Sequence, residues 1–123
     1  MKILLADDSF DTLRMFAMVL RRADHEVVVA GTGKEAWEAF CIAVDGCAPF
    51  DLLLLDVAMP KMSGPECAEK IRAFEKEQDM PSTRLIFLSA HMDQIAVENV
   101  EHLGIESIEQ KPISLDALRA LCE

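Results

Sequence analysis

Five polar side chains stand where runs of aliphatic residues stop. Asp7 and Asp8 follow Ile3 to Ala6, Asp56 follows Leu52 to Leu55, Ser89 follows Leu85 to Leu88, and Lys111 comes shortly after the weaker run Ile105 to Ile108. Three carboxylates gathered at one place repel one another and are costly without a cation, so the set asks for a hard divalent ion with oxygen ligands. Mg2+ suits it best, because it takes one or two carboxylates, keeps several waters and leaves a position for a phosphoryl oxygen. The Lys111 ammonium and the Ser89 hydroxyl would cover the other phosphoryl oxygens. An aspartate lying between metal and lysine would be a nucleophile, giving an aspartyl phosphate.

Taken singly, each residue has an ordinary explanation. Asp7 and Asp8 would favour the positive end of a helix, Ser89 would be a turn hydroxyl, and Lys111 a loop lysine. What joins them is the pattern of elements between. Five short aliphatic runs (Ile3 to Ala6, Val27 to Ala30, Leu52 to Leu55, Leu85 to Leu88, Ile105 to Ile108) read as strands. The third and fourth are continuously apolar, as strands covered on both faces are. Helix-length amphipathic segments separate them. The first is capped by Ser9 or Asp11 and runs to about Arg22, with Leu13, Phe16, Ala17 and Leu20 as its apolar stripe. The second starts at Thr32 and Gly33 and passes through Trp37 and Phe40. The third is expected from Gly64 or Pro65 to about Glu77, with Ile71 and Phe74 inward. The fourth covers about Met92 to Leu103 and stops at Gly104, and the fifth begins near Ser114 with Leu115, Leu118 and Leu121 inward. Longer surface loops are expected at Val44 to Pro49 and Gln78 to Thr83.

Five strand-then-helix units imply one doubly wound α/β sandwich over residues 1–123, with a parallel sheet. In such a sheet ligands bind beyond the carboxyl ends of the strands, where the strand order reverses. Asp7, Asp8, Asp56, Ser89 and Lys111 all fall at that edge.

Composition bounds the rest. A chain of 123 residues, 51% apolar, accommodates one domain that buries roughly two-thirds of its unfolded surface, and no separate effector or catalytic domain. With 22 acidic and 12 basic residues the net charge is -10, which would repel a nucleic-acid backbone. The first apolar run is shorter than the roughly 7 to 15 residues of a signal-peptide core, and no run approaches a membrane span. A soluble, cytoplasmic protein without membrane insertion is expected. Cys41, Cys47, Cys67 and Cys122 form no C-x-x-C pair and have no ligand spacing with His25, His91 or His102, so reduced, mostly buried thiols are expected. Trp37 and the phenylalanines read as core. Met15 and Met18 lie off the apolar stripe of the first helix and are candidates for a docking surface.

These motifs together make the chain similar to the receiver domains of two-component response regulators, along its whole length. The matching residues are Leu4-Leu5-Ala6-Asp7-Asp8-Ser9, Asp51 to Asp56 followed by Met59-Pro60 and Ser63-Gly64, then Leu88-Ser89-Ala90, and Lys111-Pro112. The resemblance implies a flavodoxin-like sandwich of strand order 2-1-3-4-5. It implies a phosphoryl group accepted on Asp56 from a sensor histidine kinase or a histidine phosphotransfer protein. Asp8 and Asp56 would ligate Mg2+ directly, Asp7 directly or through water, and the backbone carbonyl of Ala58 would complete the protein ligands. Ser89 would be the switch hydroxyl, Lys111 the cation on the phosphate, and Lys111-Pro112 a cis peptide. Such a domain is not an enzyme on other substrates; it catalyses only its own phosphorylation and dephosphorylation, as a monomer or weak dimer. His91, two residues after Ser89, lies where members of the family tune water access, and equally reads as an ordinary loop histidine.

One position departs from the pattern. Three residues before the lysine the family has Tyr or Phe, and here stands Ile108, in a chain without tyrosine. The inward swing of an aromatic ring is therefore unavailable as a reporter of phosphorylation. Competing readings meet specific obstacles. An aspartate-nucleophile phosphatase or phosphotransferase of the haloacid dehalogenase type needs a second acid two residues after the nucleophile, where Ala58 stands. A flavin carrier needs a hydroxyl- and glycine-rich phosphate loop, where Asp7 to Asp11 would repel the phosphate. A receiver-like scaffold that is never phosphorylated would not need the intact acidic set. A stand-alone regulator, the receiver of a hybrid histidine kinase or phosphorelay, and a receiver from a longer regulator all fit.

Overall fold

The run Leu52 to Leu55 is apolar without alternation because both of its faces are covered. In a computed structural model of the chain, which describes residues 1–90 and 100–123, these four leucines belong to the central strand and are fully buried. The strands are β1 (Lys2–Ala6), β2 (Glu26–Ala30), β3 (Leu52–Asp56), β4 (Arg84–Ser89) and β5 (Ser107–Gln110), and the helices are α1 (Phe10–Arg22), α2 (Gly33–Asp45), α3 (Gly64–Glu77) and α4 (Leu115–Leu121). All strand pairs are parallel, and the sheet order is β2-β1-β3-β4-β5. This is the doubly wound order, with its reversal between β1 and β3, where the first and third strand ends lie side by side.

Alternate residues feed two cores. Leu4, Ala6, Leu53, Leu55, Leu85 and Phe87 pack on one face with Phe40 of α2 and Ile71 of α3. Ile3, Leu5, Leu52, Leu54, Ile86 and Leu88 pack on the other with Leu13, Phe16, Ala17 and Leu20 of α1 and Leu118 of α4. Burying one such leucine contributes roughly 2 kcal/mol before entropy is counted. Trp37, Phe40 and Phe74 meet with ring centroids 5.8–6.2 Å apart, which confirms them as core aromatics. Phe10 is the exception and is 70% exposed. It is in phase with the buried stripe of α1 but is the first residue of that helix, where its ring lies 5.8 Å from the Arg14 guanidinium.

Helix starts follow their caps. Ser9, Thr32, Ser63 and Ser114 each accept a hydrogen bond from the backbone N–H three residues on. Ser9, and not Asp11, caps α1. Three helix ends turn on residues other than glycine. After α1, α2 and α3 the residue at left-handed φ is Asp24 (67°), Cys47 (58°) and Asp79 (54°). The N–H groups of His25, Ala48 and Met80 reach back to the carbonyls of Leu20, Ala43 and Glu75, closing three Schellman motifs.

Three expectations need correction. β5 begins at Ser107, two residues later than the aliphatic run, because the pairing with β4 starts at Ile86 opposite Ser107. On this sheet edge Glu106 is used instead to pair with Arg84 at 2.7 Å. α2 continues to Asp45, so the loop after it is shorter than Val44 to Pro49. Of the thiols, Cys67 and Cys122 are buried, but Cys41 is half-buried and Cys47 exposed; all four are free. Residues 91–99, with His91, Met92 and most of the expected fourth helix, lie outside the described residues. The described remainder is a single 3-10 turn, Glu101–Leu103, ending at Gly104 with φ 63°. No described helix is long and apolar enough to cross a membrane.

Two polar ties fix the elements around the sheet. Buried Glu75 of α3 pairs with Arg72 at 2.8 Å and accepts from the N–H and hydroxyl of Thr83 just before β4. Arg72 also donates to the carbonyl of Leu103, which holds the 3-10 turn against α3. At the other edge, the Arg21 guanidinium of α1 donates to the carbonyl of Val27 on β2 at 2.9 Å.

Candidate functional site

The reversal of strand order brings Asp7, Asp8 and Asp56 together. Asp7 and Asp8 follow β1 immediately, and Asp56 is the last residue of neighbouring β3. One carboxylate oxygen from each of the three lies within 4.8 Å of the others. Asp7 is fully buried, Asp56 is 4% exposed and Asp8 faces solvent. The Lys111 ammonium lies 2.7 Å from Asp7 Oδ2 and 3.2 Å from Asp56 Oδ2, so one cation serves both buried acids. Ser89 ends β4, one residue beyond Leu88, the partner of Asp56 in the sheet, and is buried; its carbonyl accepts from the Lys111 N–H at 2.7 Å. That bond ties the carboxyl end of β4 to the segment carrying the lysine. The Lys111–Pro112 peptide is cis.

The backbone orders the acids before any ligand arrives. Asp7 Oδ1 accepts from the Ser9 N–H at 2.9 Å, at the cap of α1. Asp56 Oδ1 is approached by the Ala58 N–H at 3.4 Å. Behind Asp56, Gly64 opens α3 so close that a Cβ there would run into the Asp56 carbonyl. The Gly64 N–H donates to the Val57 carbonyl at 3.0 Å, closing the connection between β3 and α3 into a loop. Inside that loop the Met62 N–H returns to the Pro60 carbonyl at 2.8 Å around Lys61, whose φ is 67°, a γ-turn. Met59 is buried in the core, so Ala58 is held between a buried strand end and a buried side chain.

Electrostatics follow from this geometry. Burial, and then the neighbouring charge of Asp7, push the Asp56 carboxyl up from 3.8 to about 6, against the pull of Lys111 and the Ala58 N–H. For Lys111, burial alone would lower the ammonium, but the two carboxylates more than reverse this and raise it. Asp7 Oδ2 is buried and its partner is the Lys111 ammonium at 2.7 Å. Three carboxylates gathered within 4.8 Å around a single ammonium leave an excess of negative charge on hard oxygen donors, a set that fits a divalent cation of the Mg2+ type.

The other residues read from the sequence fall apart from this cluster. Met15 and Met18 are 45% and 47% exposed on α1. With Asp11, Arg14, Arg21 and Arg22 they line a shallow groove along that helix. Ile108 is half-buried on β5, opposite Phe87, and packs against the core. The sequence reading did not find the exposed Phe10 near the start of α1, nor the tight loop between Val57 and Gly64. The first could be sought only in the fact that Phe10 directly follows the cap, and the second in the spacing of Pro60 and Gly64.

A stability measurement checks the charge balance at Asp56. The unfolded chain ionises this carboxyl near 3.8 and the folded chain near 6, so the folded state holds more protons between these values. This group's contribution to stability therefore falls as pH rises through that window, and stays lower above it. Asp56→Asn is expected to raise the metal-free unfolding free energy in urea at pH 7 by about 1–3 kcal/mol, and to flatten its dependence on pH between those two values. Equal stability of variant and parent at pH 7 would show that Lys111 fully offsets the burial.

The response regulator receiver domain model matches residues 3–123 of the chain. The transcriptional regulatory protein CrdR of Helicobacter pylori is 34% identical over 97% of this chain, which spans 52% of that protein. The chemotaxis protein CheY homolog of Campylobacter jejuni is 31% identical over 100% of this chain and 90% of its own length. Among solved structures, chemotaxis protein CheY4 of Vibrio cholerae superposes with a TM-score of 0.82 at 26% identity, covering 98% of this chain and 94% of the other. The chain thus spans about half of the first relative and most of the second. With the sheet order, the three gathered carboxylates and the shared lysine already in place, the match over nearly every residue makes this chain a member of the response regulator receiver domain family.

Proposed function

We propose that the chain accepts a phosphoryl group on Asp56 from a phosphohistidine of a sensor histidine kinase or histidine phosphotransfer protein, in a Mg2+-dependent reaction. The observation that carries this reading is the gathering of the Asp56 carboxylate with the two acids that follow β1, one oxygen of each within 4.8 Å of the others, under the Lys111 ammonium 3.2 Å from Asp56 Oδ2. Asp7, Asp8, Asp56 and the Ala58 carbonyl would hold the metal, which when bound supplies neutralising charge to the phosphoryl oxygens. An Asp56 oxygen forms the new P–O bond as the P–N bond to the imidazole breaks; the bonding pair returns to the imidazole nitrogen, which takes up a proton. Lys111 stays charged throughout because the acids beside it hold its proton, and it pairs with a phosphoryl oxygen as the charge on Asp56 is used in bonding. Ser89, at the end of β4, supplies the hydroxyl that turns to the acquired group. Ala58, where a phosphatase of the haloacid dehalogenase type has its second acid, leaves the chain without a group to protonate an alcohol leaving group. This supports a signalling role, as a stand-alone regulator or as the receiver of a hybrid kinase or longer regulator, over catalysis on other substrates.

The docking surface proposed for the histidine-bearing partner is the outer face of α1. Its exposed Met15 and Met18 lie among Arg14, Arg21, Arg22 and one acid, Asp11, a net basic and apolar strip on a chain of net charge -10. An amphipathic partner helix with acidic flanks complements that strip, and unbranched methionines adapt to it. The output side is where this chain leaves its family's pattern. Ile108 is β-branched, already packed against the core, and has few rotamers to trade. Phosphorylation is expected to act near Ser89 with little rearrangement at Ile108.

Three measurements test these readings. Acetyl phosphate with Mg2+ is expected to add one phosphoryl mass to the parent, and nothing to Asp56→Asn or to the parent stripped of divalent metal; equal labelling of parent and Asp56→Asn would overturn the acceptor assignment. Met15→Lys together with Met18→Lys should slow transfer from a phosphorylated histidine phosphotransfer protein at least about tenfold, one interface contact's worth of 1.4 kcal/mol, and leave acetyl phosphate labelling unchanged. Slowing of both routes alike would make the methionines structural. With beryllofluoride and Mg2+, amide shifts are expected to be large at Ser89 and small at Ile108, without a stable dimer; a mimic-dependent dimer with its largest shifts at Ile108 would show that an aliphatic residue carries the full switch.

A further inference from the structure

We infer that Gly33, at the start of α2, is a positioning residue for the metal-binding carbonyl of Ala58; this rests on the Mg2+ reading of the site. Gly33 stands far from the acids in sequence and contributes no functional group. Its backbone is pressed so closely against the loop between β3 and α3 that a Cβ at 33 would strike the Met62 carbonyl oxygen, and would lie 2.6 Å from its carbon and 2.8 Å from its Cβ. Two of these three atoms belong to the backbone, so no side-chain rotation relieves the clash, and the strain falls on the backbone of the loop and of the first turn of α2.

That loop has little freedom to absorb a shift locally. Its ends are joined by the bond from Gly64 N–H to the Val57 carbonyl, and Val57 is itself bonded to Leu88 of β4. Its turn at Lys61 is already in the left-handed region and closed by the bond from Met62 to Pro60. Met59, next to Ala58, is buried. A displacement at Met62 therefore passes back through the closed loop to Ala58, whose N–H faces Asp56 Oδ1. Gly31, two residues earlier, provides the contrast: a Cβ there meets only the flexible end of Glu35 at 3.7 Å. α2 thus acts as a stop against which the metal-binding loop is set, and the absence of a side chain at 33 defines the height of that stop.

The test compares the parent with Gly33→Ala and Gly31→Ala. In the metal-free proteins, Gly33→Ala is expected to move the amide resonances of Ala58 and Met59, and Gly31→Ala to leave them in place. Calorimetric titration with MgCl2 is expected to show about a tenfold weaker affinity in Gly33→Ala, the usual scale for losing support behind a metal ligand, and parent affinity in Gly31→Ala. Unmoved Ala58 and Met59 resonances, or unchanged Mg2+ affinity, in folded Gly33→Ala would overturn the inference. Failure of the parent itself to bind Mg2+ would overturn the metal reading instead, while the amide shifts still report on the mechanical link. Should Gly33→Ala not fold, the link is read in the parent alone: saturating Mg2+ is expected to move the Gly33 amide together with those of Ala58 and Met59 while the Gly31 amide stays in place, and a Gly33 amide that does not move would overturn the inference.

Discussion

Two buried carboxylates share one ammonium, and much of this molecule is arranged to make that tolerable. Asp7 and Asp56 would each be costly beneath a hydrophobic sheet, and the sharing is incomplete: burial still holds the Asp56 carboxyl well above its ordinary range. The parallel sheet brings the two acids together because β1 and β3 are neighbours at the reversal of strand order. Lys111 reaches them only because β5 pairs with β4, and because the Ser89 carbonyl anchors the lysine's own backbone. Stability given up at this edge is made good in the two leucine-rich cores. A site held in such a state gains from any ligand that brings positive charge and lets Asp56 ionise fully.

How far this was legible from the residues depended on which force placed each one. The central strands were plain, because only continuous apolar runs survive burial on both faces, and Asp56 and Ser89 were plain as the polar residues at their ends. The edge strand β5 starts two residues beyond the start of its aliphatic run, since on an edge half the residues face solvent and hydropathy no longer tracks pairing; Glu106, inside that run, serves as the partner of Arg84. Helix starts announced themselves through Ser9, Thr32 and Ser114, and through Pro65 for α3, whose cap is Ser63. Helix ends did not, because the left-handed positions are filled by Asp24, Cys47 and Asp79, residues that accept positive φ at some cost and carry no glycine mark. Within the site, the acids and the lysine could be found by residue type, whereas the fit of Gly33 against Met62 is a matter of distances across the fold. Nothing local in the sequence encodes it.

The Glu75 network shows the same division on the opposite side of the molecule. A glutamate in an otherwise amphipathic helix reads as solvated, yet this one is 2% exposed. It is tolerated because Arg72 and both donors of Thr83 satisfy its oxygens, and Arg72 in turn caps the Leu103 carbonyl. A cluster of this kind costs as much to break as it contributes when complete, so it specifies one seating of α3 against β4 and against the turn that precedes β5.

The contact between Arg21 and Val27 has a bearing on how the protein behaves in company. β2 is an outer strand with three consecutive valines, the sort of sequence that invites another sheet to stack along it. Here the outward carbonyl of Val27 is already occupied by a guanidinium, and Glu26 at the strand's start is exposed. An incoming strand that paired at Val27 would have to strip away a charge-assisted hydrogen bond, while approaching a molecule of strongly negative net charge. A side chain in the last turn of α1 thereby doubles as a guard on the open edge of the sheet.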